Sequence, residues 1–338
     1  MPNITMQKVA NVAGVSLKTV SRVVNDESGV KKATRDKVRQ VIEELEYQPN
    51  PSARNLASAR SFLVGLMYDN PSSAYIIGLQ NGALSTCRLH NYELLIHPCN
   101  HRDTDLVTKI RAMARQSRVD GLILSPPLCD MNGLLDMLDE RALAYVRISP
   151  LERSDRSPFV YADEYQAAYK MTEYLISQGH FRIGFITGHP NRSGTVMRLK
   201  GYQQALQDNA IHFDESLVEE GLYTFESGEA GARRLLRSDT RPTAIFASND
   251  LMAAGVLKVA HQMKLRMPYE LSVCGYDDAP LAERTWPRLT TVRHPVEKVA
   301  EQATSLLIRT LNGEPTEFDP ESIHSELVVR ESTGPMMD

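Results

Sequence analysis

Between residues 4 and 47 the apolar positions recur at helical spacing in three short runs, separated by residues that start or stop helices. Met6, Val9, Ala10 and Ala13 form one stripe, predicting a helix from about Thr5 to Ala13 with Thr5 accepting the unpaired N–H groups of its first turn. Gly14 ends it, because glycine enters the left-handed conformation at little cost. Ser16 caps a second helix whose Val20, Val23 and Val24 face inward, while Leu17, Lys18, Ser21, Arg22 and Asn25 share a polar, cationic side. Residues 34–47 supply a third amphipathic helix, capped by Thr34, with Val38, Val41, Ile42 and Leu45 closing a small core. A cationic face on the second of two helices joined by a sharp turn suits the major groove of duplex DNA.

Past residue 62 the pattern changes. Continuous apolar runs alternate with amphipathic stretches: FLVGLM, helix 76–89, YELLIH, helix 104–116, GLILS, helix 133–140 and AYVRI. After Val160 the rhythm returns with helix 165–178, RIGFIT, helices 195–208 and 227–237, AIFAS, helix 250–262 and LSVCG, and LTTVR, helix 296–311 and SELVVR complete the lobes. Strand-helix alternation repeated twice predicts two doubly wound parallel-sheet lobes. Their strands are apolar throughout, as strands covered on both faces must be. Between the two regions lies YQPNPSARNLASARSF, where Pro49 and Pro51 stop the third helix and Ser52 can cap a new one. Ser52 to Ser58 is too short to be helical alone and is expected to order only against a partner. The predicted organisation is a head over 1–48, a hinge over 49–61 and a core over 62–338. Lobe 1 takes about 62–158 plus 291–320, and lobe 2 about 159–290 plus 321–333.

Composition adds one discriminating fact. The 338 residues carry a net charge of −4, yet residues 1–60 hold ten Lys and Arg against six Asp and Glu. A basic head on an acidic body directs the head at polyanions. No apolar run is long enough to span a bilayer and none follows a basic start, so a cytoplasmic protein without a membrane partner is expected. Cys87, Cys99, Cys129 and Cys274 lie far apart, the nine histidines form no ligand pair, and no phosphate loop or acid-base constellation is present. No catalysis, cofactor or metal is expected.

The motifs VAxxAGVSxxTVSRVVN, TRxKVxxxIxELxYxPN and ARxLA resemble the head and hinge of the lactose/galactose repressor (LacI/GalR) family. FRIGFITG, RLKGYQQAL, FASNDLMAAGVL, LSVCGYDD and PRLTTV resemble that family's effector-binding core in the same order. The resemblance implies an all-α helix-turn-helix head plus an α/β core like the periplasmic binding proteins, with two doubly wound parallel-sheet lobes. It further implies a transcriptional regulator, a repressor of carbohydrate-utilisation genes, whose grip on DNA changes with a small sugar-like effector held between the lobes. A homodimer on a pseudo-palindromic operator is expected, since no leucine heptads follow the last strand to build a tetramer.

Leu17, Lys18, Ser21 and Arg22 are the candidates for base edges, with Arg22 leading because a guanidinium pairs bidentately with guanine. Thr5, Ser16, Thr19, Asn25, Thr34, Tyr47 and Asn50 are candidate phosphate anchors. In relatives a leucine at the place of Leu56 wedges into the minor groove, which puts Arg54, Asn55 and Arg60 beside the backbone or groove floor.

Ligands of open parallel sheets lie at the carboxyl ends of strands. That rule selects Asp69 and Asn70 after the first strand, Arg147 at the end of AYVRI, Asn249 after AIFAS and Asp277 after SVCGY. Arg198 matches the family position that clamps ligand oxygens, and Tyr68, Tyr75, Tyr223 and Trp286 are candidates to stack on a sugar face. Duller roles stand beside these: capping for Asn249 and Asp277, an ion pair for Arg147 or Arg198, core packing for the tyrosines, and packing beside Pro287 for Trp286. MYDNPSSAYI departs most from the family pattern, so a ligand's identity does not transfer. A sugar-transport protein would have no use for the head, and an enzyme would need an acid-base pair or phosphate loop.

Overall fold

A computed structural model describes residues 4–24, 28–45, 47, 60–237, 240–319 and 323–336. The chain divides into two units, Met1–Ser61 and Phe62–Asp338.

In the first unit α1 (Met6–Ala13) starts on Thr5, whose hydroxyl accepts the Lys8 N–H at 3.4 Å. It ends on Gly14, left-handed at φ 66°. Ser16 opens α2 (Leu17–Val24), accepting the Thr19 N–H at 3.1 Å. α3 spans Lys32–Glu44, so Thr34 does not cap it but sits in its first turn. The first helical bond goes instead from Arg35 N to Lys31 O at 3.0 Å. Nothing in Lys31, Lys32 and Ala33 breaks a helix, and all three favour one. Val9, Ala10, Ala13, Val20, Val23, Val38 and Val41 close the core between the three helices.

The second unit opens with β1 (Leu63–Tyr68), α4 (Ser73–Leu89), β2 (Glu93–Pro98), α5 (Leu106–Ser117), β3 (Gly121–Leu124), α6 (Asn132–Glu140), β4 (Ala144–Ile148) and β5 (Phe159–Val160). These strands form a parallel sheet in the order β2-β1-β3-β4-β5. α7 (Glu164–Ser177) leads into the second parallel sheet, built from β6 (Ile183–Ile186), β7 (Val218–Glu219), β8 (Ala244–Ala247) and β9 (Ser272–Cys274) in the order β7-β6-β8-β9. Its helices are α8 (Ser193–Asp208), α9 (Phe225–Leu236) and α10 (Asp250–Gln262). The short strands β10 (Thr291–Arg293) and β11 (Glu326–Val328) pair antiparallel, and α11 (Val296–Asn312) packs back on α4 and β4.

Burial follows from this layering. Every residue of β3, β6 and β8 is buried, because each strand lies between apolar layers on both faces of its sheet. Among the described residues no helix is long and apolar enough to cross a membrane.

Two boundaries differ from expectation. β5 pairs with β4 in the first sheet and Val160 joins that lobe's core, so the chain crosses to lobe 2 after residue 160 rather than 158. Val292 of β10 packs with Phe185, Tyr202 and Cys274, which puts 291–293 with lobe 2 instead of lobe 1. A strand of two or three residues carries too little periodicity to announce its sheet.

Candidate functional site

On the head, Val20 and Val23 are buried against the core, which turns the opposite side of α2 outward. Leu17 and Lys18 are exposed there, Leu17 by 45%, and Ser21 and Arg22 are partly exposed on the same side one turn later. Thr5 and Ser16 each spend an acceptor on their caps, which leaves the Thr5 hydroxyl a proton to give. Thr19 is partly exposed, its hydroxyl 2.8 Å from that of Ser16, and Thr34 is also partly exposed. Tyr47 is 6% exposed, its aromatic body packed in the head's core, where it buries more apolar area than any valine can. Asn25, Asn50, Arg54, Asn55 and Leu56, with the hinge helix expected over Ser52 to Ser58, lie outside the described residues.

In the core a cleft with about 50 Å³ of enclosed space, partly open to solvent, lies where the carboxyl ends of the two sheets face each other. At its centre Arg198, on α8, is 5% exposed. Its Nη1 donates to the Ser248 carbonyl, its guanidinium lies 3.6 Å above the Tyr276 ring, and its Nε is 3.3 Å from Glu164 Oε2. That last pair is charged contact without hydrogen-bond alignment, so Arg198 Nε and Glu164 Oε2 are both buried without a hydrogen-bond partner. Glu164 starts α7, and its carboxylate lies over Gly194, where a Cβ would come within 2.2 Å of Oε2. Its other oxygen is 3.9 Å from His294 Nε2. Burial holds the His294 imidazole down to about 4, with Glu164 pulling it up and Arg198 pushing it lower, so the ring is neutral at pH 7.

Asp277 lies across from Arg198 on a turn with φ 110°. Burial pushes its carboxyl up to about 7, Arg198 opposes that rise and Glu164 adds to it. The folded state therefore holds this proton more tightly than the unfolded chain, and stability is lost as pH rises from about 4 through about 7. Asp277→Asn is expected to stabilise the protein by a few kcal/mol at pH 8, with the gain shrinking below pH 7 and gone at pH 4. Urea denaturation at the three pH values checks it, and a pH-independent difference contradicts it.

Asn70, Tyr75, Arg198, Tyr223, Asn249 and Asp277 line the cleft together. Much of the Asn249 amide is spent on structure, accepting from Met252 N at 2.9 Å to cap α10 and donating to the Tyr223 carbonyl at 3.1 Å. The Tyr223 hydroxyl is 2.7 Å from that of Thr195. Asp69 turns away and accepts from His101 Nδ1 at 2.6 Å. Arg147 is a correction: it is 2% exposed and outside the cleft lining, giving Nε to Ser157 Oγ and its two terminal nitrogens to the Glu152 and Ser154 carbonyls, each at 2.9 Å. It ties down the loop after β4, whose carbonyls a strand-end rule does not see. Trp286 is a second correction, 91% exposed and not part of the cleft lining. Tyr68 packs at the edge of the lobe 1 core, its hydroxyl 3.4 Å from Gln80 Nε2.

Sequence reasoning missed Glu164, Arg192, Ser193 and Ser149, all of which line the cleft. Glu164 looks like an ordinary acidic first-turn residue, and Arg192 lies in the turn-like HPNRSG. The one available signal was a charged residue just before or at the start of a helix that follows a lobe crossing or a strand. Among the described residues no group of His, Cys, Asp and Glu is placed to hold a metal ion.

Comparison with known proteins bears on both units. A family model described as bacterial regulatory proteins, lacI family, matches residues 5–50, and one described as a periplasmic binding protein-like domain matches 172–333. The HTH-type transcriptional repressor PurR of Edwardsiella ictaluri (strain 93-146) is 33% identical over 338 residues, spanning 99% of this chain and 98% of its own. Among solved structures, a transcriptional regulator CelR–cellobiose complex aligns with a TM-score of 0.74 at 31% identity, over 97% of this chain and 99% of that one. A lac repressor dimer bound to operator and the anti-inducer ONPF aligns with a TM-score of 0.73 at 26% identity, over 98% and 99%.

Proposed function

The chain belongs to the lacI family of bacterial regulatory proteins, DNA-binding transcription regulators that respond to small molecules, and from that premise we propose that its effector is a neutral sugar. The observation that carries this is the ion pair in the cleft: a buried donor, Arg198 Nε, beside a buried acceptor, Glu164 Oε2, neither with a hydrogen-bond partner. A hydroxyl group both gives and accepts, so one hydroxyl satisfies both atoms, and a ring bearing several continues the pattern to Asp277 and Asn249. Burying such groups without hydrogen bonds costs free energy that a ligand recovers on binding. The similar CelR was solved with cellobiose, which makes that disaccharide a rational first probe.

On this reading the protein is a homodimer on a pseudo-palindromic operator, works in the cytoplasm where the DNA is, and represses carbohydrate-utilisation genes until sugar occupies the cleft. The sugar acts only through different affinities for two lobe arrangements, with a coupling on the order of 1–3 kcal/mol. Titration calorimetry against cellobiose, common hexoses, sugar phosphates and purine bases tests it. At least one neutral saccharide is expected to bind and to weaken operator retention in a gel shift. Binding confined to purine bases or sugar phosphates would overturn the sugar reading.

A further inference from the structure

Arg192 precedes α8 in lobe 2 and is 7% exposed, yet its hydrogen bonds go to the other lobe. Nη1 donates to the Pro126 carbonyl at 3.2 Å and Nη2 to the Asp69 carbonyl at 2.7 Å. Those carbonyls stand just beyond the ends of β3 and β1 in lobe 1. The same seam is joined by Ser193, whose hydroxyl donates to the Ser149 carbonyl, and by the His101 and His189 rings, edge to face at 5.7 Å.

We propose that Arg192 is a positioning residue that clasps the two lobes across the effector cleft and sets how readily they separate. A guanidinium is a rigid planar fork, so its two terminal nitrogens reach two fixed carbonyls with little loss of freedom. Bonds from a charged donor are about twice as strong as neutral ones. Lobe separation strips the buried cation of both acceptors at once, which makes the joined arrangement favoured before any ligand arrives. The proposal rests on reading the cleft as the effector site, but its test needs no effector, so its failure and that of the sugar reading are told apart.

The test is amide hydrogen exchange on the full-length, ligand-free protein, comparing wild type, Arg192→Lys and Arg192→Ala. Exchange in residues 125–131 and 189–195 is expected to rise by about tenfold or more for each bond lost. Lysine keeps the charge but offers a point donor in place of a fork, so Arg192→Lys is expected between the other two. Amides of β3 and β8, deep in each lobe, are expected to exchange as in wild type. Equal exchange at the seam in all three proteins overturns the clasp, and so does a uniform rise that includes β3 and β8. If Arg192→Ala does not fold, Arg192→Lys decides alone, with wild-type exchange at the seam overturning the proposal.

Discussion

Arg198→Ala is expected to abolish the response to effector while the folded fraction still holds operator DNA. The guanidinium is the cation facing both Glu164 and Asp277 inside the cleft, and its Nε is one half of the donor–acceptor pair a hydroxyl would complete. Removing it leaves two buried carboxylates without that compensation. Breaking a buried pair by deleting one partner costs roughly 3–5 kcal/mol, softened here because a carboxyl that already holds its proton up to about 7 can remain neutral. Without the guanidinium, which lowers it, the Asp277 carboxyl holds its proton to still higher pH, so the stability deficit should grow as pH rises above about 7, where the wild-type carboxyl has ionised. Arg198→Met combined with Glu164→Gln separates fold from function: replacing both members with neutral groups of similar size is expected to recover stability but not ligand response. Calorimetry, gel shifts with and without sugar, and urea denaturation read the three quantities. Retained response with unchanged sugar affinity would remove Arg198 from the site.

Arg22→Ala is expected to weaken specific operator binding by about 5–150-fold per half-site, from the ~1–3 kcal/mol that a bidentate guanidinium–guanine contact contributes to discrimination. Because a dimer presents two copies, the combined loss approaches the square of that factor. Arg22 lies on the last turn of α2, on the side that carries Leu17, Lys18 and Ser21. Val20 and Val23 on the opposite side keep that orientation rigid. Lys18→Ala serves as the contrast. If lysine contacts a phosphate it should weaken operator and random DNA alike and lower the salt dependence of binding by about one counterion. Fluorescence anisotropy with operator and scrambled duplex, each over a salt series, distinguishes the two behaviours. Equal weakening by Arg22→Ala on both duplexes would make Arg22 a phosphate contact.

Caps and periodicities were legible because they act over one helical turn. Thr5, Gly14 and Ser16 punctuate the head as their chemistry requires, and the helix over 250–262 begins and ends where its pattern does. Thr34 was misread because a cap-forming residue followed others equally content inside a helix. In the core, the strand-end rule found Asn70, Asn249 and Asp277, since β1, β8 and β9 carry enough apolar residues to announce themselves. It also selected Arg147, whose donors are taken by a nearby loop with no pattern of its own.

The order of the longer elements, the two kinds of periodicity and the cationic side of the second helix were determined by the amino-acid sequence alone, because near neighbours decide them. Tertiary structure alone decided that Glu164 meets Arg198 over Gly194, that Arg192 reaches across to Pro126 and Asp69, that Tyr47 is core, and that Trp286 stays outside. Those outcomes depend on how whole sheets and helices pack. Burial and charge compensation are properties of the assembled interior, and residues distant in the chain share them only once the layers have closed.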